Sequence, residues 1–168
     1  EIICRYRIEF IEKLNNKIKK IHSEVTENKE KLEIKYITEC ENKENYLSLL
    51  KQRRKLDIIK GFTTKGIHRD DFKCFINDKE IEIYGSQGQH RTAILSLKLA
   101  ELYVIYDEIG EYPILLLDDF MSELDEKRRK SFLSYIKDTQ VIITCTDKME
   151  LDNIKLFNVI NGEICKII

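Results

Sequence analysis

Residues 114–126 read ILLLDDFMSELDE. Four apolar residues run into two adjacent aspartates, and Ser-Glu-Leu-Asp follows almost at once. An unbroken apolar run of this length is the pattern of a strand buried on both faces, as in the centre of a parallel sheet. The carboxyl edge of such a sheet is where α/β folds bind ligands. Two adjacent carboxylates repel, by about 1 kcal/mol at 4 Å in water and about 4 at an intermediate dielectric. A divalent cation could neutralise one of them while the other accepts a proton from water. The alternative is a solvated pair at a strand end, with Ser122 capping the next helix through a Ser122-x-x-Asp125 box worth about 1 kcal/mol. The residues alone leave both readings open.

Working outward, residues 123–137 predict a helix and Val141–Cys145 a second buried strand, so the stretch opens a β-α-β unit. Upstream, about twenty helix-forming residues run from Gln89 to Ile109, preceded by Gly85-Ser-Gln-Gly-Gln89. Small residues before a long helix leave backbone N–H groups at the positive end of the helix dipole, which suits an anion such as a terminal phosphate. They equally suit a flexible loop. Phe72–Ile76 and Ile81–Tyr84 alternate on either side of Asn77-Asp78 and predict a hairpin. Gly61-Phe-Thr-Thr-Lys-Gly66 has the glycine spacing of a P-loop, but Ile67-His68 stands where Lys-Ser/Thr is required, so this is not one.

The amino-terminal third is different in character. Ile3, Phe10, Leu14, Ile18, Ile21 and Val25 predict an amphipathic helix over residues 2–25. Leu32–Tyr36 predicts a short strand, and Asn45–Lys60 a second helix that Gly61 would stop. The tail, with Phe157–Ile160 and Ile164–Ile168 around Asn161-Gly162, predicts a second hairpin. The fold class that results is α/β.

Charge divides the chain. Residues 1–60 carry 15 Lys and Arg against 11 Asp and Glu, and residues 61–168 carry 14 against 19. The net charge of −1 excludes a general affinity for polyanions, while the basic first third and acidic remainder suggest two surfaces with different partners. The cluster Lys51-Gln-Arg-Arg-Lys55 could contact phosphates or be a solvated helix face. Five widely spaced cysteines without a CxxC pair argue against a disulfide framework or zinc site and fit reduced thiols in a cytosol. No apolar run reaches membrane-spanning length. The chain opens on Glu1 inside a helical pattern and reads as part of a longer protein. His68-Arg-Asp-Asp71 fits a metal or acid–base site or an internal ion-pair network, and His22 and His90 have no evident partner.

The order of these segments carries more than any one of them. Y-G-S-Q-G-Q-H-R-T-A opening a helix, then G-E-Y-P-I-L-L-L-D-D-F-M-S-E-L-D, a helix and a strand ending in Thr, resembles the C-terminal half of an ABC-type ATPase head of the SMC class. With G-I-H-R-D-D and S-L-K-L-A-E, the wording is similar to the bacterial RecF family, from the first residue to about 150.

That resemblance implies a helical, DNA-facing arm over residues 1–60 and part of an ATPase head over 61–168. It implies that Ser86, Gln87, Gly88 and Gln89 form the signature loop that meets the γ-phosphate of ATP held by a second subunit. Asp118 would be the Walker B carboxylate on Mg²⁺, and Asp119 would stand at the catalytic-base position, where many relatives have Glu. Ser122, Glu123, Leu124 and Asp125 would be the D-loop crossing the dimer interface. Relatives often carry a γ-phosphate-sensing His after the next strand; here the segment is Ile143-Thr-Cys-Thr146, with no His, and the residues leave open which Thr stands in its place, Thr146 being counted among the nucleotide-site candidates. Ile67 replaces a common Pro. Lys51, Arg53, Arg54 and Lys55 would face DNA.

No Walker A motif occurs in these 168 residues. The implied protein is a weak, DNA-stimulated ATPase of the bacterial cytoplasm, acting at single-strand gaps in DNA with RecR- and RecO-type mediators and no membrane. This stretch alone would not hydrolyse ATP. A non-catalytic binding module is the alternative. Another SMC-class head is disfavoured by the lack of sustained heptads in residues 2–60.

Overall fold

In the computed structural model, which describes residues 2–39, 42–119, 124–146 and 154–167, two long helices lie side by side and organise the rest. The first, α1 (Ile2–Val25), is followed by β1 (Leu32–Ile37) and α2 (Lys43–Lys60). Then come β2 (Asp71–Ile76), β3 (Lys79–Glu80), a single turn α3 (Ile81–Tyr84) and the second long helix, α4 (Gln87–Ile109). The chain ends with β4 (Leu115–Asp118), α5 (Glu126–Tyr135), β5 (Val141–Thr144), β6 (Leu156–Ile160) and β7 (Glu163–Ile167).

Helices α1 and α4 share one core because their apolar residues recur at helical spacing. Leu14, Ile18, Ile21 and Val25 meet Ala93, Leu95, Leu99, Ala100 and Val104. Leu32 and Ile34 of β1, Ile76 of β2, Leu117 of β4 and Phe132 of α5 close the same cluster. Glycine ends both α2 and α4: Gly61 (φ 73°) and Gly110 (φ 82°) adopt the left-handed conformation that a residue with a Cβ resists.

Strands β1, β2 and β3 form an antiparallel sheet, with Ile34 opposite Cys74 and Phe75 opposite Glu80. Its β2–β3 hairpin turns at Asn77 and Asp78, both at positive φ (47° and 65°), the conformation of a tight type I′ turn. The expected strand over Ile81–Tyr84 is instead a helical turn, closed by Gly85 N–H donating to the Ile81 carbonyl at 2.8 Å. Of residues 79–84, Lys79 and Glu80 alone pair with β2. The apolar alternation did not mark a sheet face: Ile81 enters the core while Ile83 and Tyr84 remain exposed.

Strand β4 pairs in parallel with β5, as the β-α-β reading requires. Within these 168 residues Leu117 faces the core and Leu116 lies on the opposite face. Ile94, Leu102 and Ile105 of α4 with Pro113–Leu116 line an apolar groove of about 330 Å³ along the strand. A second correction moves the start of α5: its N-cap is Asp125, whose carboxylate accepts from Arg128 N–H at 2.9 Å, and the helix begins at Glu126. Ser122, the expected cap, lies outside the described residues, as does Cys40. The tail hairpin turns at Asn161 and Gly162, as its Asn-Gly pair predicts. Among the described residues, no helix is long and apolar enough to cross a membrane.

Candidate functional site

The register of the parallel pair decides the geometry at its carboxyl end. Asp118 stands opposite Thr144, and Thr144 Oγ1 donates to Asp118 Oδ1 at 2.5 Å. The next residue, Asp119, turns sharply at φ 46°, and its N–H donates to both the carbonyl and Oγ1 of Thr144 at 3.1 Å. Aspartate is among the few residues that adopt this left-handed conformation readily. The two carboxylates are therefore held differently, one by its side chain on the strand and the other by its backbone in a turn. The sequence offers Thr144 only as one of two threonines in Ile143-Thr-Cys-Thr146, with no sign of its pairing with Asp118. Register alone reveals it, because β4 and β5 must be aligned before Asp118 and Thr144 become neighbours. Thr146 lies exposed two residues further on.

Two carboxylates and a hydroxyl at a solvated strand end do not make a protein-only metal cage. Among the described residues, no group of three or more His, Cys, Asp or Glu could hold a metal ion. The set does fit Mg²⁺, which characteristically binds one or two carboxylates and takes its remaining ligands from water and phosphate.

At the start of α4, Ser86 is the N-cap of a reciprocal capping box. Its Oγ accepts from Gln89 N–H at 3.2 Å, and Gln89 Oε1 accepts from Ser86 N–H at 2.9 Å. Two N–H groups that the sequence offers to an anion are thus engaged within the segment. His90 Nδ1 lies 2.9 Å from the Ser86 carbonyl. Gly85 is required by space: a Cβ there would stand 2.4 Å from the Ile81 carbonyl oxygen. Gly88 has more room, since a Cβ would lie 3.9 Å from Arg128 Nη2.

That distance brings the start of α4 beside the first turn of α5. Asp125 also accepts from Arg128 Nη1 at 2.7 Å. The Arg128 backbone N–H, with support from its guanidinium charge, holds the Asp125 carboxyl below the usual carboxylate range. Leu124 is buried. The structure thus brings Gly88 beside Arg128, the partner of Asp125, while Ser122 and Glu123 lie outside the described residues.

Two residues that showed no partner in the sequence, or no signal at all, lie behind the segment. Gln89 Nε2 donates to Glu30 Oε1 at 2.9 Å, and Glu30 Oε2 lies 3.3 Å from Nε2 of the fully buried His22. Burial pushes the His22 pKa below its ordinary value, partly offset by Glu30 and reinforced by Arg128.

The His68–Asp71 motif takes part in an internal network. Asp70 accepts from Tyr36 Oη and lies 3.7 Å from Arg7 Nη1, which also donates to the Ile67 carbonyl. Burial, then the bond to Asp70, raises the Tyr36 pKa to about 12. His68 Nε2 lies 3.0 Å from the Thr63 carbonyl, and Arg69 stacks over Phe62. Helix α2 buries none of its residues, and Lys51, Arg53, Arg54 and Lys55 are all exposed on it.

No protein-family model matches the chain. Among curated proteins, the DNA replication and repair protein RecF of Clostridium perfringens is 46% identical over 173 residues, covering 98% of this chain and 48% of the relative. RecF of Clostridium beijerinckii is 47% identical over 174 residues, covering 98% and 47%. The solved structure of the recombination mediator protein RecF-ATP in the RecFOR pathway matches with a TM-score of 0.84 at 38% identity, over 99% of this chain and 46% of that one. The chain spans about half the length of the relatives it matches. Its sequence and its fold, matched over nearly every residue, place it in the RecF family.

Proposed function

We propose that this chain is the signature and Walker B part of a RecF-type, ATP-dependent DNA-repair protein. The observation that carries the reading is the parallel β4–β5 pair ending on Asp118, Asp119 and Thr144, beside an α4 that opens on Ser86–Gln89. In this reading, Ser86–Gln89 meet the γ-phosphate of ATP held by a second copy. Ser122–Asp125 cross between the copies, and the polar tip after β5, Thr146 included, lies toward the phosphates. Asp118, oriented by Thr144, takes the metal side. Asp119 orients the water that attacks the γ-phosphorus in line with the leaving oxygen. Asp118 would hold the Mg²⁺ brought with the nucleotide, and that ion would supply charge neutralisation at the phosphates.

The phosphate-cradling Walker A loop is not among these 168 residues, so it belongs to a part of the protein outside them. Residues 1–60 act as an arm, with Lys51, Arg53, Arg54 and Lys55 of α2 against DNA phosphates, and 61–168 belong to the head. ATP-driven pairing of two copies closes the protein on gapped or single-stranded DNA in the bacterial cytoplasm, hydrolysis reopens it, and RecO- and RecR-type mediators load recombinase there.

In the full-length protein, Asp119→Asn is expected to slow ATP hydrolysis by about 100-fold or more, the scale of a lost general base. ATP-dependent dimers should persist. Hydrolysis at the wild-type rate would remove Asp119 from its role.

The missing Walker A motif favours a second reading of the 168 residues taken alone, that of a non-catalytic DNA- or partner-binding module. Titration of a labelled ATP analogue separates the two. Tight binding by the 168-residue chain would contradict an incomplete nucleotide site.

A further inference from the structure

Gln89 is held at both ends of its amide. The oxygen accepts from Ser86 N–H, and the nitrogen donates to Glu30 Oε1. Behind Glu30, His22 Nδ1 lies 2.9 Å from Ser96 Oγ. Ser96 Oγ also lies 2.9 Å from the Thr92 carbonyl, and Thr92 Oγ1 donates to the Gly88 carbonyl at 2.8 Å. A neutral His22 carries one ring N–H, so with Nε2–H on Glu30 the single Ser96 hydroxyl proton turns to Nδ1. These close polar contacts leave the 86–89 segment at Gln89 and return to it at Gly88. They pass through α1, the α1–β1 turn and one face of α4. His22, Thr92 and Ser96 are fully buried.

The turn that carries Glu30 is firmly shaped. Glu27 and Asn28 both take positive φ (55° and 60°), and Asn28 N–H donates to the Ser23 carbonyl at 2.6 Å. Lys31 N–H donates to Asn77 Oδ1, and Asn77 N–H donates back to the Lys31 carbonyl, both at 3.0 Å. The turn and the helix end before it also reach α5: Glu27 pairs with Lys127, and Glu24 accepts from Tyr135 Oη.

A buried polar circuit is a poor way to gain stability, because apolar residues of the same volume fill such space without desolvating charge. A fully satisfied one does fix orientation. We propose that Glu30, oriented by His22, is a positioning residue for the signature segment. It fixes the Gln89 amide and, through the capping box, the backbone of Ser86, in the attitude that meets the γ-phosphate of the second copy. This inference rests on the ATP-dependent pairing proposed above.

The test uses the full-length protein and a non-hydrolysable ATP analogue. It compares wild type with Glu30→Ala, Glu30→Gln, Gln89→Ala and the Glu30→Ala/Gln89→Ala double variant. Glu30→Ala is expected to raise the analogue concentration for half-maximal dimerisation by about tenfold, the worth of one charge-assisted hydrogen bond. Analogue binding by the monomer should stay unchanged, since the cradle lies elsewhere. Glu30→Gln keeps an acceptor oxygen for Gln89 Nε2 and should recover most of the loss. In the Gln89→Ala background, Glu30→Ala should add nothing.

A Glu30→Ala effect of equal size in both backgrounds would show a merely structural role and overturn the proposal. Wild-type dimerisation by Glu30→Ala, alongside its loss in Gln89→Ala, would overturn it while leaving the proposed function intact. If wild type itself fails to pair with the analogue, the underlying reading falls and this inference with it.

Discussion

The start of α4 and the end of β4 carry the two halves of the proposed chemistry, and they are built in opposite ways. The α4 start is over-determined. Gly85 fits against the Ile81 carbonyl, Ser86 and Gln89 cap each other, and Glu30, His22, Ser96 and Thr92 stand behind them. The β4 end has, within these 168 residues, Thr144 on Asp118 and on the Asp119 backbone. A segment that must present a fixed surface to another molecule gains from a buried, satisfied frame. Carboxylates in the proposed role, exchanging water and metal ligands, gain from solvent access.

The sharpest way to break this contrast is Gly85→Ala. The new Cβ would stand 2.4 Å from a backbone carbonyl, so the chain and not a side chain must move. A loss of about 3 kcal/mol in unfolding free energy is expected, at the upper end for overpacking. Denaturant unfolding measures it. A loss of under about 0.5 kcal/mol, the scale of an ordinary surface change, would show that the α3–α4 junction is loose.

Removing one hydroxyl from each end sharpens it further. Ser96→Ala leaves the ring nitrogen of buried His22 without its partner and should cost about 2 kcal/mol. Thr144→Val removes a hydroxyl at an exposed site, where water replaces the lost bonds, and should cost under about 1 kcal/mol. Equal costs would mean that the two ends are not differently built.

The same contrast explains what could be read without coordinates. The β4 end is legible because its chemistry is contiguous: the apolar run, the Asp-Asp pair and Asp125 lie within thirteen residues. The helices α1, α2 and α4 are legible from period and from Gly61, and the tail hairpin from Asn161-Gly162. The frame behind Gln89 is not, because Glu30 lies 59 residues from Gln89, and His22 lies 74 from Ser96. No local pattern announces a polar pair that only tertiary packing brings together. Ile81–Tyr84 failed for a related reason: alternation marks a strand only if a partner strand is there to use it, and β2 is paired only as far as Glu80. The cap of α5 was misplaced by three residues because both Ser122 and Asp125 are good capping residues, and only the helix start chooses between them.

The smallest effect tests the buried frame through its imidazole. His22 is enclosed by Glu30 from the α1–β1 turn, Ser96 from α4 and the charge of Arg128 from α5. Burial outweighs Glu30 and holds its pKa below the ordinary 6.5. The folded protein therefore resists a proton that the unfolded chain accepts. Above pH 6.5 neither form takes it, and the stability that His22 contributes is fully present. As the pH falls through 6.5, the unfolded state gains the proton first and stability is lost, until the pH passes the lower folded value. His22→Gln, which keeps a polar side chain and removes the titration, should flatten this part of the profile. Unfolding free energies from about pH 7.5 to about pH 5.5 for both proteins give the difference curve, in which shared carboxylate titrations cancel. Parallel curves would mean that His22 takes its proton as easily folded as unfolded. The frame behind Gln89 would then be as open to water as the aspartates at the end of β4.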